Sequence, residues 1–172
     1  MNLESNLVLI LRDGILAFFV GIGFALLFNT PKKALITAGL LGAAGHMLRF
    51  ILREECGQSI IVSTLSASLL IGFASIFVAH IVHTPPIVFS MPACITMIPG
   101  LYAYRTMLGV AKLTDKDLAF SSPHLLTETA HYFILTGSLL FSLAIGLCVG
   151  TLIFRKKSIK EINLPRLGKS AG

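Results

Sequence analysis

Three ionisable residues interrupt apolar stretches in the first third of the chain. Asp13 follows a run of apolar residues, and His46 and Arg49 lie together in the next apolar stretch. On a helix, residues three apart share a face, so His46 and Arg49 point to the same side. A carboxylate within an apolar helix can carry a proton or face a substrate, and a guanidinium can bind a carboxylate through two hydrogen bonds. These residue types favour a site for a charged solute or a proton.

Each of these positions has a simpler alternative. Asp13 lies near the start of its apolar stretch, so it could sit with Arg12 at the membrane interface instead of in a cavity. Arg49 lies one turn before Arg53, so its side chain could extend to the interface. The glycine-rich face that His46 and Arg49 share favours the inward, functional arrangement.

A second set of residues follows a predicted helix break. Pro99 lacks a backbone donor and clashes with the preceding turn, and Gly100 lets the chain open further. Tyr102 and Arg105 follow, three residues apart and on one helix face. Inside a bilayer, broken backbone is tolerated only where protein buries it or water fills a cavity, and transporters use such breaks to bind anionic groups. The break is therefore expected to line a substrate path, with a plain proline kink as the alternative.

No cofactor or catalytic motif accompanies these residues in the sequence. Glu128 and His131 have a spacing that can bind a metal, but the sequence offers no second such pair. Phosphate-binding loops, dinucleotide fingerprints and nucleophile motifs are absent from it as well. We therefore expect no metal, no cofactor and no enzymatic activity.

The composition predicts a membrane protein. Of the 172 residues, 55% are hydrophobic and 13% are charged, whereas soluble domains carry about 25% charged residues. The net charge of +6 is concentrated in a basic segment near the C-terminus, which is typical of a juxtamembrane tail and not of a nucleic-acid-binding face. This segment carries Arg155, Lys156, Lys157, Lys160, Arg166 and Lys169. Soluble enzymes and nucleic-acid-binding proteins are thereby excluded.

Five apolar segments are long enough to cross a bilayer, which takes about 20 helical residues. They predict an all-α protein with a five-span domain over residues 1–154 and a basic cytoplasmic tail over residues 155–172. The predicted spans cover residues 7–28, 34–52, 59–81, 87–110 and 123–154, with the fourth broken at Pro99 and Gly100. The bias of Lys and Arg places the C-terminus inside the cell and the N-terminus outside.

Small residues recur along several of these spans and predict close helix packing. Without a hydrophobic drive inside lipid, helices associate where small residues let their backbones approach. The packing positions predicted in this way are Gly42, Gly72, Gly146 and Gly150. Because such stripes occur on several spans, they also indicate an oligomer.

Three motifs resemble the threonine/serine exporter family. Residues 23–31 (GFALLFNTP) resemble the end of that family's first span, and residues 45–49 (GHMLR) resemble its Gly-His-x-x-Arg pattern. Residues 98–104 (IPGLYAY) resemble its broken fourth span. The resemblance extends over roughly residues 21–112, and an acidic residue at position 13 also matches the family pattern.

The resemblance implies secondary export of threonine and serine across the inner membrane of bacteria, and Asp13 in the first span favours coupling of that export to protons. Some two-subunit relatives export succinate, so a dicarboxylate is an alternative substrate. The chain resembles the smaller, C-terminal half of the full-length exporters, which implies a larger membrane subunit as its partner. A scaffold subunit that does not itself transport is the alternative from another class. The residues assigned to the substrate and ion path are Asp13, Asn29, His46, Arg49, Pro99, Gly100, Tyr102 and Arg105.

Overall fold

The computed structural model describes residues 3–115 and 122–158, which are helical apart from short connections. In chain order the helices are α1 (Leu3–Leu27), α2 (Lys32–Glu54), α3 (Ile60–Val82), α4 (Ile87–Ile95), α5 (Gly100–Leu113) and α6 (Pro123–Ser158). The described residues contain no strand. The predicted all-α class is therefore confirmed.

Four of these helices are long and apolar enough to cross a membrane. The qualifying ranges are Asn6–Leu27, Lys32–Glu54, Ile60–Val82 and His124–Val149. Helices α4 and α5 form a fifth candidate span that is bent by 60°. The prediction of a polytopic bundle whose fourth span is broken is thus confirmed.

Some boundaries differ from those drawn on the sequence. Helix α4 already ends at Ile95, so the break occupies Thr96 to Pro99 and begins earlier than predicted. Helix α6 continues to Ser158, inside the segment predicted as a basic tail. The remainder of that predicted tail, residues 159–172, lies outside the described residues.

The turn after α1 is built by a helix-ending hydrogen-bond pattern. Asn29 adopts a left-handed backbone with φ of 53°, a conformation that asparagine tolerates better than most residues. Its N–H donates to the Leu26 carbonyl at 3.0 Å, and the Thr30 N–H donates to the Ala25 carbonyl at 2.9 Å. These two bonds satisfy carbonyls that the end of a helix leaves free. Asn29 therefore ends α1 and directs the chain into α2.

The helices pack as two pairs around a short central helix. Helix α1 runs antiparallel against α2, α3 packs against α6, and α2 joins the pairs through α3. Helix α4 contacts α1, α2, α3 and α6, whereas α5 contacts α6 alone among the described helices. At the centre, a Cβ atom added to Gly42 would lie 3.5 Å from the Ala17 carbonyl oxygen and 3.6 Å from Cα of Ala93. Backbones of three elements therefore meet beside Gly42.

The α3–α6 pair is held by another close approach. A Cβ atom on Gly146 would collide with Ser68, whose hydroxyl donates across the interface to the Ser142 carbonyl at 3.1 Å. Gly72 is also buried in α3. Gly150 lies in α6 at a position whose surroundings are outside the described residues. Small residues therefore set the helix separation here, as expected where lipid gives no hydrophobic drive.

Candidate functional site

An acid–imidazole pair joins α1 to α2. The Nδ1 atom of His46 lies 2.6 Å from Oδ2 of Asp13, and the two side chains are 25% and 29% exposed. Next to this pair, α1 and α2 are in close contact, because a Cβ atom on Gly14 would lie 2.6 Å from Sδ of Met47. The two side chains are close enough to share a proton, and both are partly exposed. The sequence did not indicate that Asp13 and His46 are partners, because they lie on different helices.

Arg49 lies one turn after His46 and binds the helix break. Its Nη1 donates to the Met97 carbonyl at 3.2 Å. That carbonyl is one of the groups left without an intrahelical partner where α4 ends. The guanidinium is thereby directed towards the break, with its Nε and Nη2 edge left over for a second acceptor.

These residues line one open cleft with a volume of about 310 Å³. It brings together the acid–imidazole pair, two guanidinium groups, a carboxylate and the first residues of the break. The lining includes Asp13, His46, Arg49, Arg53, Glu54, Thr96 and Ile98. Charges of both signs thus face the same volume, which suits a small solute that carries a carboxylate. We call this volume the Arg49 cleft.

The break owes its shape to Pro99. Its φ of −79° and ψ of 64° form a tight inverse γ-turn, in which the Gly100 N–H donates to the Ile98 carbonyl at 2.8 Å. Helix α5 then begins, with the Ala103 N–H donating to the Pro99 carbonyl at 3.0 Å. A Cβ atom on Gly100 would meet nothing within 4 Å. The glycine is therefore not needed for space, and the proline alone accounts for the turn.

Tyr102 and Arg105 lie beyond the break and contact a residue that the sequence did not single out. Arg105 donates from Nη1 to the hydroxyl of Tyr132 at 2.6 Å, and its guanidinium carbon lies 5.1 Å from the centre of that ring. The Tyr102 ring stacks on the Tyr132 ring with centres 6.1 Å apart and planes 18° apart. The sequence feature that could have identified Tyr132 as a candidate site residue is its position one turn after Glu128, within an otherwise apolar stretch.

The polar residues form two groups. The first lines the Arg49 cleft and includes Asp13, His46 and Arg49, and the second is formed by Tyr102, Arg105 and Tyr132. Asn29, by contrast, is exposed at the far end of α1, about 24 Å along the helix axis from Asp13. The structure thus brings Asp13 together with His46 and Arg49, brings Tyr102 and Arg105 together around Tyr132, and places Asn29 apart from both groups.

The chain matches a known protein family. A family model described as "Threonine/Serine exporter, ThrE" matches residues 13–153, which is most of the chain. The chain belongs to the threonine/serine exporter family. The family match begins at Asp13 and includes the break and Tyr132, so both groups of polar residues fall inside it. No solved structure matches the chain.

Family membership confirms the resemblance drawn from the three sequence motifs. It identifies this threonine/serine exporter family member as a membrane protein of the transporter type, in keeping with its membrane-spanning helices.

Within residues 3–115 and 122–158, no three His, Cys, Asp or Glu side chains are grouped so that they could hold a metal ion. His131, one of the residues considered as a metal ligand, instead packs edge-on against Tyr132.

Proposed function

We propose that the chain is a subunit of a proton-coupled secondary exporter that moves threonine and serine out of the bacterial cytoplasm. The Arg49 cleft carries this proposal, because it combines an acid–imidazole pair with a guanidinium at a break in a membrane-spanning helix. Its residues supply hydrogen-bond donors, acceptors and charges of both signs. Solute binding and proton binding are therefore the chemistry that the site supports.

The substrate carboxylate binds between Arg49 and the start of α5. One terminal nitrogen of Arg49 is engaged by the Met97 carbonyl, so the Nε and Nη2 edge is left to form two parallel hydrogen bonds with a carboxylate. The amides of Leu101 and Tyr102 lie in the first turn of α5, where N–H groups lack intrahelical acceptors and favour anions. Both donor sets lie at the break, so a single carboxylate can use them together.

The proton is carried by the pair of Asp13 and His46. The substrate ammonium and a proton are both attracted to the Asp13 carboxylate, so occupancy by one disfavours the other. This competition couples the outward movement of the amino acid to the inward movement of a proton. The short distance of 2.6 Å between the two side chains supports their action as one unit.

A second membrane subunit closes the cleft. Asp13 and His46 are each more than a fifth exposed, and the cleft is open on one side. A charged group that faces hydrocarbon costs about 2.5–3.5 kcal/mol on insertion scales. A larger subunit of the same exporter would remove that cost by covering the open side. The bias of basic residues supports a cytoplasmic C-terminus, and the proposed export from the cytoplasm implies a complex in the inner membrane.

A dicarboxylate such as succinate is the second candidate substrate. Arg53 lines the same cleft as Arg49, so two guanidinium groups could each take one carboxylate. Glu54 weakens this candidate, because its Oε1 lies 3.5 Å from Nε of Arg53 and partly neutralises that charge. Threonine and serine are therefore preferred.

Reconstitution tests the proposal. The full chain, alone and co-purified with its larger membrane subunit, is placed in liposomes, and efflux of labelled threonine, serine and succinate is measured with a proton gradient of either direction. We expect proton-driven efflux of threonine and serine from the two-subunit preparation only, lowered by Arg49→Gln and unchanged by Arg12→Gln. An efflux rate that does not depend on the proton gradient would refute proton coupling. Robust efflux from the lone chain would refute the need for a partner subunit. A complex that stays active when Arg49 is removed would assign this chain a scaffold role.

A further inference from the structure

A second cleft lies between α5 and α6 and plays no part in the proton pair or the helix break. Its volume is about 210 Å³, smaller than the about 300–1,000 Å³ of sites for drug-sized ligands, so it suits a small solute. The polar groups that line it are Arg105, Lys112, Glu128, Thr129 and Tyr132. Gly109 forms its floor, because the helix backbone there touches the side chain of Thr129. We call this volume the α5–α6 cleft.

The charges in the α5–α6 cleft are not neutralised by one another. Arg105 is engaged by the uncharged hydroxyl of Tyr132 through Nη1, and among the described residues neither Lys112 nor Glu128 forms an ion pair. Charges that are not paired within the protein are open to a charged solute. Two cations and one carboxylate around a small volume match a molecule with one carboxylate and one ammonium group.

We propose that the α5–α6 cleft is a second binding site for a zwitterionic amino acid, with the carboxylate on Arg105 and Lys112 and the ammonium on Glu128. This inference rests on the proposed function, since it takes the solute to be the one that the Arg49 cleft binds. The two clefts share no lining residue, and Tyr132, which lines the α5–α6 cleft, stacks on Tyr102. Arg105 holds the Tyr132 hydroxyl, so a carboxylate arriving at Arg105 competes for the group that fixes this stack.

The two clefts recognise the solute by different means. In the Arg49 cleft the ammonium faces the same carboxylate that carries the proton, whereas Glu128 lies on α6, apart from the Asp13–His46 pair. The α5–α6 cleft therefore selects amino acids over simple carboxylates without involving the proton. Lys112 lies in the last turn of α5 and Glu128 near the start of α6, so this cleft is placed at the end of the path where the solute enters or leaves.

Protection of an introduced cysteine tests the second site. In the full chain, with Cys56, Cys94 and Cys148 replaced by alanine, Leu108→Cys places a thiol in the α5–α6 cleft, and Leu126→Cys places one on α6 outside it. Membranes that contain each single-cysteine variant are treated with an anionic thiol reagent, and the rate of thiol modification is measured with and without threonine. At about ten times Kd, threonine should slow modification about tenfold at position 108, because only the free site reacts. Position 126 should show no protection.

Variants separate this proposal from the proposed function. Protection at position 108 should persist in Arg49→Gln and disappear in Arg105→Gln, while Arg105→Lys keeps a reduced part of it. The analogue 3-hydroxybutyrate, which lacks the ammonium group, should protect poorly in the parent and as well as threonine in Glu128→Gln. Equal protection at positions 108 and 126, no protection at either, or protection that survives Arg105→Gln would overturn the second site. Loss of protection in Arg49→Gln would show that only one site exists.

Discussion

Replacing Arg49 by lysine should separate the two tasks that its guanidinium performs. In the structure Nη1 holds the Met97 carbonyl at 3.2 Å, and the Nε and Nη2 edge is left for a substrate carboxylate. A lysine ammonium is a single point donor on a flexible stem and cannot form both arrangements in fixed geometry. In Arg49→Lys the ammonium binds either the break or the substrate.

The size of the loss follows from the bonds removed. A hydrogen bond to a charged group contributes about 1.5–3 kcal/mol, and a tenfold change corresponds to about 1.4 kcal/mol. Losing one of the two parallel hydrogen bonds from Arg49 to the substrate carboxylate should therefore lower kcat/KM for threonine export roughly 10- to 150-fold. Arg49→Gln, which loses the charge as well, should fall below Arg49→Lys.

The measurement is proton-driven efflux of labelled threonine from proteoliposomes, at matched amounts of inserted protein. Arg12→Lys is the control, because Arg12 is exposed on α1 and points about 100° away from its neighbour Asp13 on the helix. It should keep full activity. If kcat/KM of Arg49→Lys for threonine export is within about twofold of the parent value, the two parallel hydrogen bonds to the substrate are not used. Arg49 then serves only to bind the Met97 carbonyl at the break.

Three further predictions concern the proton pair, helix packing and the break. Asp13→Asn should abolish uphill, proton-driven export while sparing exchange of labelled for unlabelled threonine across the membrane; normal uphill export would exclude Asp13 as proton carrier. Gly146→Ala should destabilise the protein by about 1–3 kcal/mol through overpacking against α3, whereas Gly137→Ala, at a position with open space, should be neutral or stabilising. Both are measured by thermal unfolding in detergent, and equal melting temperatures would contradict the packing. Joint replacement of Pro99 and Gly100 by alanine should favour a continuous helix by roughly 3 kcal/mol or more and slow transport; an unchanged transport rate would reduce the break to a packing kink.

The helix content and the broken fourth span follow from the sequence because both depend on local features. Apolar runs of sufficient length fix where helices can cross a bilayer, and a proline fixes where one of them must stop. The sequence analysis placed the break at Pro99 and Gly100, whereas α4 already ends at Ile95. This earlier end is local in origin, because a proline clashes with the carbonyl of the residue four positions before it, and that residue is Ile95.

The candidate site was predictable in its residue types and less so in its pairings. Alignment of His46 and Arg49 on one face follows from helix periodicity. The partnership of His46 with Asp13 depends on the antiparallel packing of α1 on α2, which the sequence does not specify residue by residue. Tyr132 was missed for the same reason, since its role arises only when α6 lies against α5.

Helix α5 packs against α6 alone among the described helices, so a change of backbone angle at Pro99 would move the far end of α5 the most. Its 14 residues extend about 21 Å from Pro99 at 1.5 Å per residue. A rotation of about 10° at Pro99 would move that far end by about 3.7 Å and the backbone of Arg105, about 9 Å from Pro99, by about 1.6 Å. A displacement of this size exceeds the usual spread of hydrogen-bond lengths. The hydrogen bond between Arg105 and Tyr132 would therefore form or break as the backbone angle at Pro99 changes.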